Sequence, residues 1–484
     1  MSVHVGEPAV FAPHPTMSSS SSAFASRNLI LDFCRGIALL IIFINHVPAN
    51  ELLLYTPSRF GLSDAAEMFV FLSGYAAAIA YARSFRSVGF ALGSLRVFHR
   101  CGQIYAAHLA LFGLMAMTCT LANGLLDTRD YITHLNIRHF FDHTEEALRD
   151  LMALRYVPNY FDILPMYLVI MLWIPGILAV ARVHRSLALV LPVCVYAAMW
   201  VFGLEFMADP VGSRPWFFNP FGWQLLFFVG FSFGTGWLKC PARRHELIGL
   251  SLMIVLLSLP LSPEPGLRPT PFLMDLHAAL APWLEKTRFG PLRLLHFLAL
   301  AYLASILLAD RERWLARWPA RAIVRMGQHS LPIFLISMVL SYVGGMVFDL
   351  IGHGIPGIVA VNLGGIGLLI LCGAFIAWIK SSPWKRIDGA VPAYAPVDDV
   401  PTDLPAGILW GRRLRSTVAA GLVLVVSTGP LLLLPGRRSV EAPEPDLLSS
   451  DQGWSAAQVW LDDPATLGVP EPGPWDALDP HGSF

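Results

Sequence analysis

The sequence predicts an all-α protein, a polytopic bundle of transmembrane helices. Three observations predict it. Of the 484 residues 55% are hydrophobic and only 14% are charged, against roughly 25% charged in soluble domains; mean hydropathy is +0.56. Apolar runs near the roughly 20 residues that span a bilayer recur eleven times. The loops between these runs alternate in charge. Net charge is zero, which gives nucleic acid no reason to bind.

Taken in order, residues 1–28 are Ser- and Pro-rich with almost no charge. They lack the basic start and apolar core of a signal peptide, so they read as a disordered arm. The spans follow near 30–49, 66–82, 104–124, 163–181, 186–206, 221–238, 246–262, 292–309, 330–350 and 357–379. These lie within one membrane domain, 29–380. A linker, 381–415, leads to an additional helix at 416–435 and an acidic, Pro-rich tail, 436–484.

Loop charge gives the topology. Arg83, Arg86, Arg96 and Arg100 follow the second span with no acid among them. Further basic loops hold Arg182 and Arg185, then Lys239, Arg243 and Arg244, then five arginines in 310–329. Linker 381–415 is flanked and ended by basic residues. The intervening loops are acidic or mixed: 125–162 carries seven acids against four arginines, and the tail nine against two. Basic loops face the cytoplasm. One arrangement fits them all: N-terminus cytoplasmic, C-terminus periplasmic, eleven crossings of a lipid bilayer.

Titratable groups are expensive in lipid and mark function there. His46 closes the first span, in Ile41-Ile42-Phe43-Ile44-Asn45-His46. Asp32 and Arg35, three residues apart, share a helix face and can pair near its start. Asp32 and His46 project to one side but stand about 21 Å apart at 1.5 Å per residue, so Asp32 cannot orient the imidazole. The second span opens with Asp64-Ala65-Ala66-Glu67. Glu67 should lie at the depth of His46 and could orient it as the carboxylate of a general-base pair. Asp64-x-x-Glu67 equally fits an N-terminal capping box.

Arg83, Arg86, Arg96 and Arg100 read either as topology determinants or as a site for cofactor phosphates, which guanidinium forks match. No Gly-rich phosphate loop is present, which argues against ATP hydrolysis. His108, inside the third span, is a second candidate site histidine. Asp162, where an outer loop meets the fourth span, could bind a sugar hydroxyl or cap a helix. The six cysteines form no CxxC and no Cys/His cluster, so neither disulfides nor a metal is expected.

Three stretches carry a resemblance. Leu31-Asp32-Phe33-Cys34-Arg35-Gly36, then His46-Val47-Pro48-Ala49-Asn50, then Phe60-Gly61-Leu62-Ser63-Asp64-Ala65-Ala66-Glu67-Met68-Phe69-Val70-Phe71-Leu72-Ser73-Gly74-Tyr75 resemble the OpgC family, within the integral membrane acyltransferases that O-acylate sugars. Tyr160-Phe161-Asp162-Ile163-Leu164-Pro165-Met166-Tyr167 and Phe218-Asn219-Pro220-Phe221-Gly222-Trp223-Gln224 agree with it. The likeness runs from about 28 to 380. It implies a ten-helix core in a bacterial inner membrane that succinylates osmoregulated periplasmic glucans, with cytosolic succinyl-CoA as acyl donor. It also implies that Asp32, Arg35, His46, Asp64 and Glu67 form the active-site set. The chain departs at Asn45, where the family pattern has Asp before the His. Acetyl transfer to another envelope polysaccharide, or a proton-coupled transporter using His46 and Glu67, are the rival readings.

Overall fold

A computed structural model describes residues 28–382, apart from 127, 211, 213, 263–269 and 310. The expected arm, most of the linker, the eleventh span and the tail lie outside the described residues. Within them the chain is helical, with no strand.

The long helices are α1 (Leu29–His46), α2 (Ala65–Ala77), α3 (Gly89–Leu125), α4 (Ile163–Leu172), α5 (Arg185–Phe202), α6 (Pro220–Thr235), α7 (His245–Ser258), α8 (Pro271–Leu284), α9 (Pro291–Leu308), α10 (Ala320–Gln328), α11 (Ser330–Ile351) and α12 (Ile355–Lys380). A π-helical turn, Ala78–Ala82, carries α2 on to Ser87. Helix α4 continues past Trp173 as Ile174–Val183. Eight of the ten spans expected within the described residues are helices long and apolar enough to cross a membrane. The other two, α6 with 16 residues and His245–Leu261, are helical but shorter. The protein is therefore a multi-pass membrane protein.

Local chemistry sets the helix ends that matter for the site. Asn28 starts α1 by accepting from the Ile30 and Leu31 amides, 3.0 and 3.2 Å, and Pro48 follows its end closely. Asp64 accepts from the Ala66 amide while the Glu67 carboxylate accepts from the Asp64 amide, 2.7 and 2.8 Å, closing a capping box on α2. Asn219 caps α6, with Pro220 as its first residue.

Helices α2 and α6 meet backbone to backbone. A Cβ at Gly74 would strike the Phe227 carbonyl, and one at Gly230 the Phe71 carbonyl. Small residues allow such approach between membrane helices, where apolar burial no longer drives association. The start of α6 also holds the loop before α9, through Asn219 and Trp223, and that loop meets the start of α2 at Asp64. The acidic loop after α3 folds into three short helices, Tyr131–His134, Arg138–Asp142 and Thr144–Met152. The first docks on α11: Asp349 pairs with Arg129, just before that short helix, and accepts from the Tyr131 hydroxyl, 2.9 Å, and the Tyr342 hydroxyl donates to the Tyr131 carbonyl, 2.9 Å. The loop then runs to Tyr160 and Asp162 over the end of α1.

Candidate active site

Two cavities lie end to end in the bundle. One, at the His46 end of α1, encloses about 90 Å³; its polar lining includes His46, Asp64, Asp162 and Lys286. The other, at the Arg35 end, encloses about 230 Å³ and is lined by Arg35, Ser73, Tyr81, Arg100, Tyr167 and Gln328. Ile163 and Phe334 line both and so stand between them. Eleven residues separate Arg35 from His46, about 16 Å along the helix.

The His46 cavity is built from four segments distant in sequence. The last turn of α1 brings His46, the cap of α2 brings Asp64, the start of α4 brings Asp162, and the loop before α9 brings Lys286. His46 Nδ1 lies 2.7 Å from the Ile42 carbonyl. A carbonyl only accepts, so Nδ1 carries a proton, and in the neutral ring Nε2 then keeps the lone pair. The Tyr160 ring stands edge-on to the imidazole, centroids 5.2 Å apart. Tyr160 holds φ at +76°, a left-handed conformation that costs an aromatic residue of order 1–3 kcal/mol and persists where surroundings impose it.

The expected partnership of His46 with Glu67 is not what Glu67 makes. Glu67 is fully buried and lines neither cavity. One of its oxygens accepts from the Asp64 amide, and the other from Arg293, Nε at 2.8 Å and Nη2 at 2.7 Å. The capping box turns the carboxylate back toward its own helix start, and the guanidinium fork takes the remaining oxygen. Among the described residues His46 and Glu67 share no hydrogen bond. The backbone of Ile42 orients the imidazole instead.

Asp64 is the carboxylate that reaches the cavity, bound to Lys286 Nζ at 2.7 Å. Burial pushes its carboxyl up, but the Lys286 and Arg293 charges, with hydrogen bonds from Lys286 and the Ala66 amide, outweigh that and hold it well below the usual carboxylate range. Asp162 accepts from the Phe217 amide, 3.2 Å, and stands 3.9 Å from Arg214. There burial dominates over Arg214 and pushes the carboxyl from an ordinary 3.8 to about 6. A carboxyl raised on folding stabilises fully below its unfolded value and loses that contribution as pH rises through about 6. Asp162→Asn should therefore remove about 3 kcal/mol of pH dependence between pH 3.5 and 7.5. Thermal unfolding of both proteins in detergent across that range checks this; parallel profiles would refute it.

Other expected residues fall elsewhere. Asp32 is buried in the contact of α1 with α10, where Gly327 abuts its carbonyl, and lines neither cavity. Arg35 donates to the Leu72 carbonyl, 3.2 Å, at the edge of the second cavity. Arg100 lines that cavity too and bonds Gln103, 2.9 Å. Arg83, Arg86 and Arg96 are exposed, and Arg96 reaches the Ser84 hydroxyl at 3.4 Å. His108 is 1% exposed beside Phe161, and among the described residues neither ring nitrogen has a hydrogen-bond partner. It lines neither cavity. Asn45 lines the His46 cavity and donates to the Ser58 hydroxyl, 2.5 Å. Lys286, Arg293 and Arg214 escape the sequence reading, and Tyr160 enters it only within a family-like stretch. The one signal available was charge crowded at the mouth of the ninth helix, in Glu285-Lys286-Thr287-Arg288 and Arg293.

A multi-pass all-α bundle holding a histidine, two carboxylates and an ammonium around one interior cavity, with arginines around the next, is built to handle polar groups inside a membrane. The chain belongs to the OpgC family, whose model, described as OpgC protein, matches residues 27–381. No curated protein and no solved structure matches it. Membership supports an acyltransferase-type role on glucans.

Proposed function

We propose that the protein transfers a succinyl group from cytosolic succinyl-CoA to hydroxyls of osmoregulated periplasmic glucans, across a bacterial inner membrane with its N-terminus cytoplasmic and its C-terminus periplasmic. The observation that carries this reading is the pair of adjoining cavities, one basic and one holding His46, divided by Ile163 and Phe334. The donor enters past Arg35 and Arg100, whose guanidinium groups suit its phosphates. Its thioester reaches the partition. The acceptor arrives at the opposite mouth, between Tyr160, Phe217 and Phe218. A cavity of 90 Å³ is small beside the roughly 300 Å³ of ordinary ligand pockets, so the glucan rests at its rim and presents a hydroxyl.

His46 Nε2 takes the hydroxyl proton as the oxygen attacks the thioester carbonyl. A new C–O bond forms, the C–S bond breaks, and the proton passes to the leaving thiolate, so the imidazole ends neutral. Asp64 and Lys286, paired beside it, supply a fixed field without net charge.

The test is reconstitution. Protein in vesicles, given succinyl-CoA on one side and glucan on the other, should add succinyl mass to the glucan and release one CoA thiol per ester formed. No mass gain, with glucan and donor intact, overturns the reading. Arg35→Ala and Arg100→Ala should each raise the donor KM about tenfold or more, the worth of one charge-assisted hydrogen bond. Steady-state kinetics would read this, and an unchanged KM removes the arginines from the donor site.

A further inference from the structure

Lys286 sits in the short loop between α8 and α9, and neighbours hold that loop at three points. The Trp223 indole donates to the Lys286 carbonyl, 3.0 Å, the Asn219 amide to the Thr287 carbonyl, 3.0 Å, and the Tyr196 hydroxyl to the Phe289 carbonyl, 2.8 Å. The side chain is 8% exposed and lines the His46 cavity. An ammonium carries three protons. Asp64 Oδ2 takes one, and among the described residues no second hydrogen-bond acceptor meets the other two. The Phe217 and Phe218 rings flank it, 5.6 and 5.9 Å from the nitrogen. They shield the ammonium from water without consuming donors at a fixed geometry.

Asp64 lines the same cavity, so pairing alone places Lys286 at its wall; the two uncommitted protons are what a pairing role leaves over. The space it faces, about 90 Å³, is less than the roughly 150 Å³ that admits benzene. It suits a short acyl chain and excludes a sugar ring. Behind Asp64, Glu67 and Arg293 cancel each other. Across the cavity, Arg214 stands beside Asp162.

We propose that Lys286 receives the free carboxylate of a dicarboxylic acyl group lying in the His46 cavity, and so selects succinyl-type donors over uncharged acyl donors of equal length. This rests on the acyltransferase reading above and adds its specificity determinant. The thioester end of the group lies by His46 and the partition; the carboxylate end lies by Lys286. Fixed donors that meet a carboxylate discriminate strongly, because the uncharged analogue leaves them without a partner.

The experiment compares succinyl-CoA with butyryl-CoA as donors for the full-length protein, with the glucan as acceptor and kcat/KM as readout. The wild-type protein should prefer succinyl at least tenfold. Lys286→Gln should lower that ratio about 10- to 100-fold, and Lys286→Arg should retain most of it. A wild-type protein that uses both donors equally overturns the proposal, whatever the variants do. So does a Lys286→Gln enzyme slowed equally with both donors, which would mean a role in packing or in the chemical step. Transfer from neither donor by the wild-type protein would instead bring down the acyltransferase reading itself. If Lys286→Gln does not fold, the wild-type ratio and the Lys286→Arg ratio decide.

Discussion

His46→Ala is expected to lower acyl transfer by about 10²–10⁴-fold, the usual contribution of a positioned general base, with the protein still in the membrane at normal level. The imidazole is half-buried at the end of α1 and lines the cavity. Its Nδ1 proton is committed to Ile42, so the lone pair on Nε2 is the one basic position it offers. Truncation deletes that position and leaves the ion pairs of Asp64 and Glu67 standing, so donor binding should survive. Mass spectrometry of glucans from cells carrying the variant measures the loss directly. Glucans as succinylated as those of the parent would remove His46 from the reaction.

The second large effect is on stability. Glu67→Ala and Arg293→Met should each destabilise the protein by about 3–5 kcal/mol, because each leaves a charge buried without its partner. Both side chains are almost fully enclosed, at 0% and 7% exposed. Removing both charges together, in Glu67→Gln with Arg293→Met, should recover much of the loss, since two desolvation costs disappear with the attraction. Thermal unfolding in detergent reads all three. If Glu67 instead oriented His46, the single substitutions would slow turnover without lowering the unfolding temperature, and the double variant would restore nothing.

These predictions show how far the sequence could be read. Apolar length locates the membrane spans, because a bilayer demands it, but not α8, α10 or the short helices after α3; His46, Asp64 and Asp162 stand out as costly groups at span ends. The capping box is legible from its three-residue spacing, but its consequence for Glu67 is not: a carboxylate turned back to its own helix start has little left for a neighbour. Lys286 and Arg293 were invisible as partners because they lie 222 and 226 residues from Asp64 and Glu67. Only the close packing of α2 on α6, with the loop behind it, brings those segments together, and no periodicity encodes that approach. In the basic loop, Arg100 faces a cavity while Arg83 and Arg86 face outward. Charge counting treats all three alike, since it registers side of membrane and not helix face.

The partition of Ile163 and Phe334 has a bioenergetic consequence. On the proposed reading the enzyme is fed from both faces of an energised membrane; it then needs openings toward each, and a continuous water file between them would short-circuit the ion gradients across it. Two hydrocarbon side chains offer no hydrogen-bonding relay, so on that reading an acyl chain crosses at a point where a proton finds no partner. Polar replacement of Phe334 would be felt first as a leak of the membrane potential.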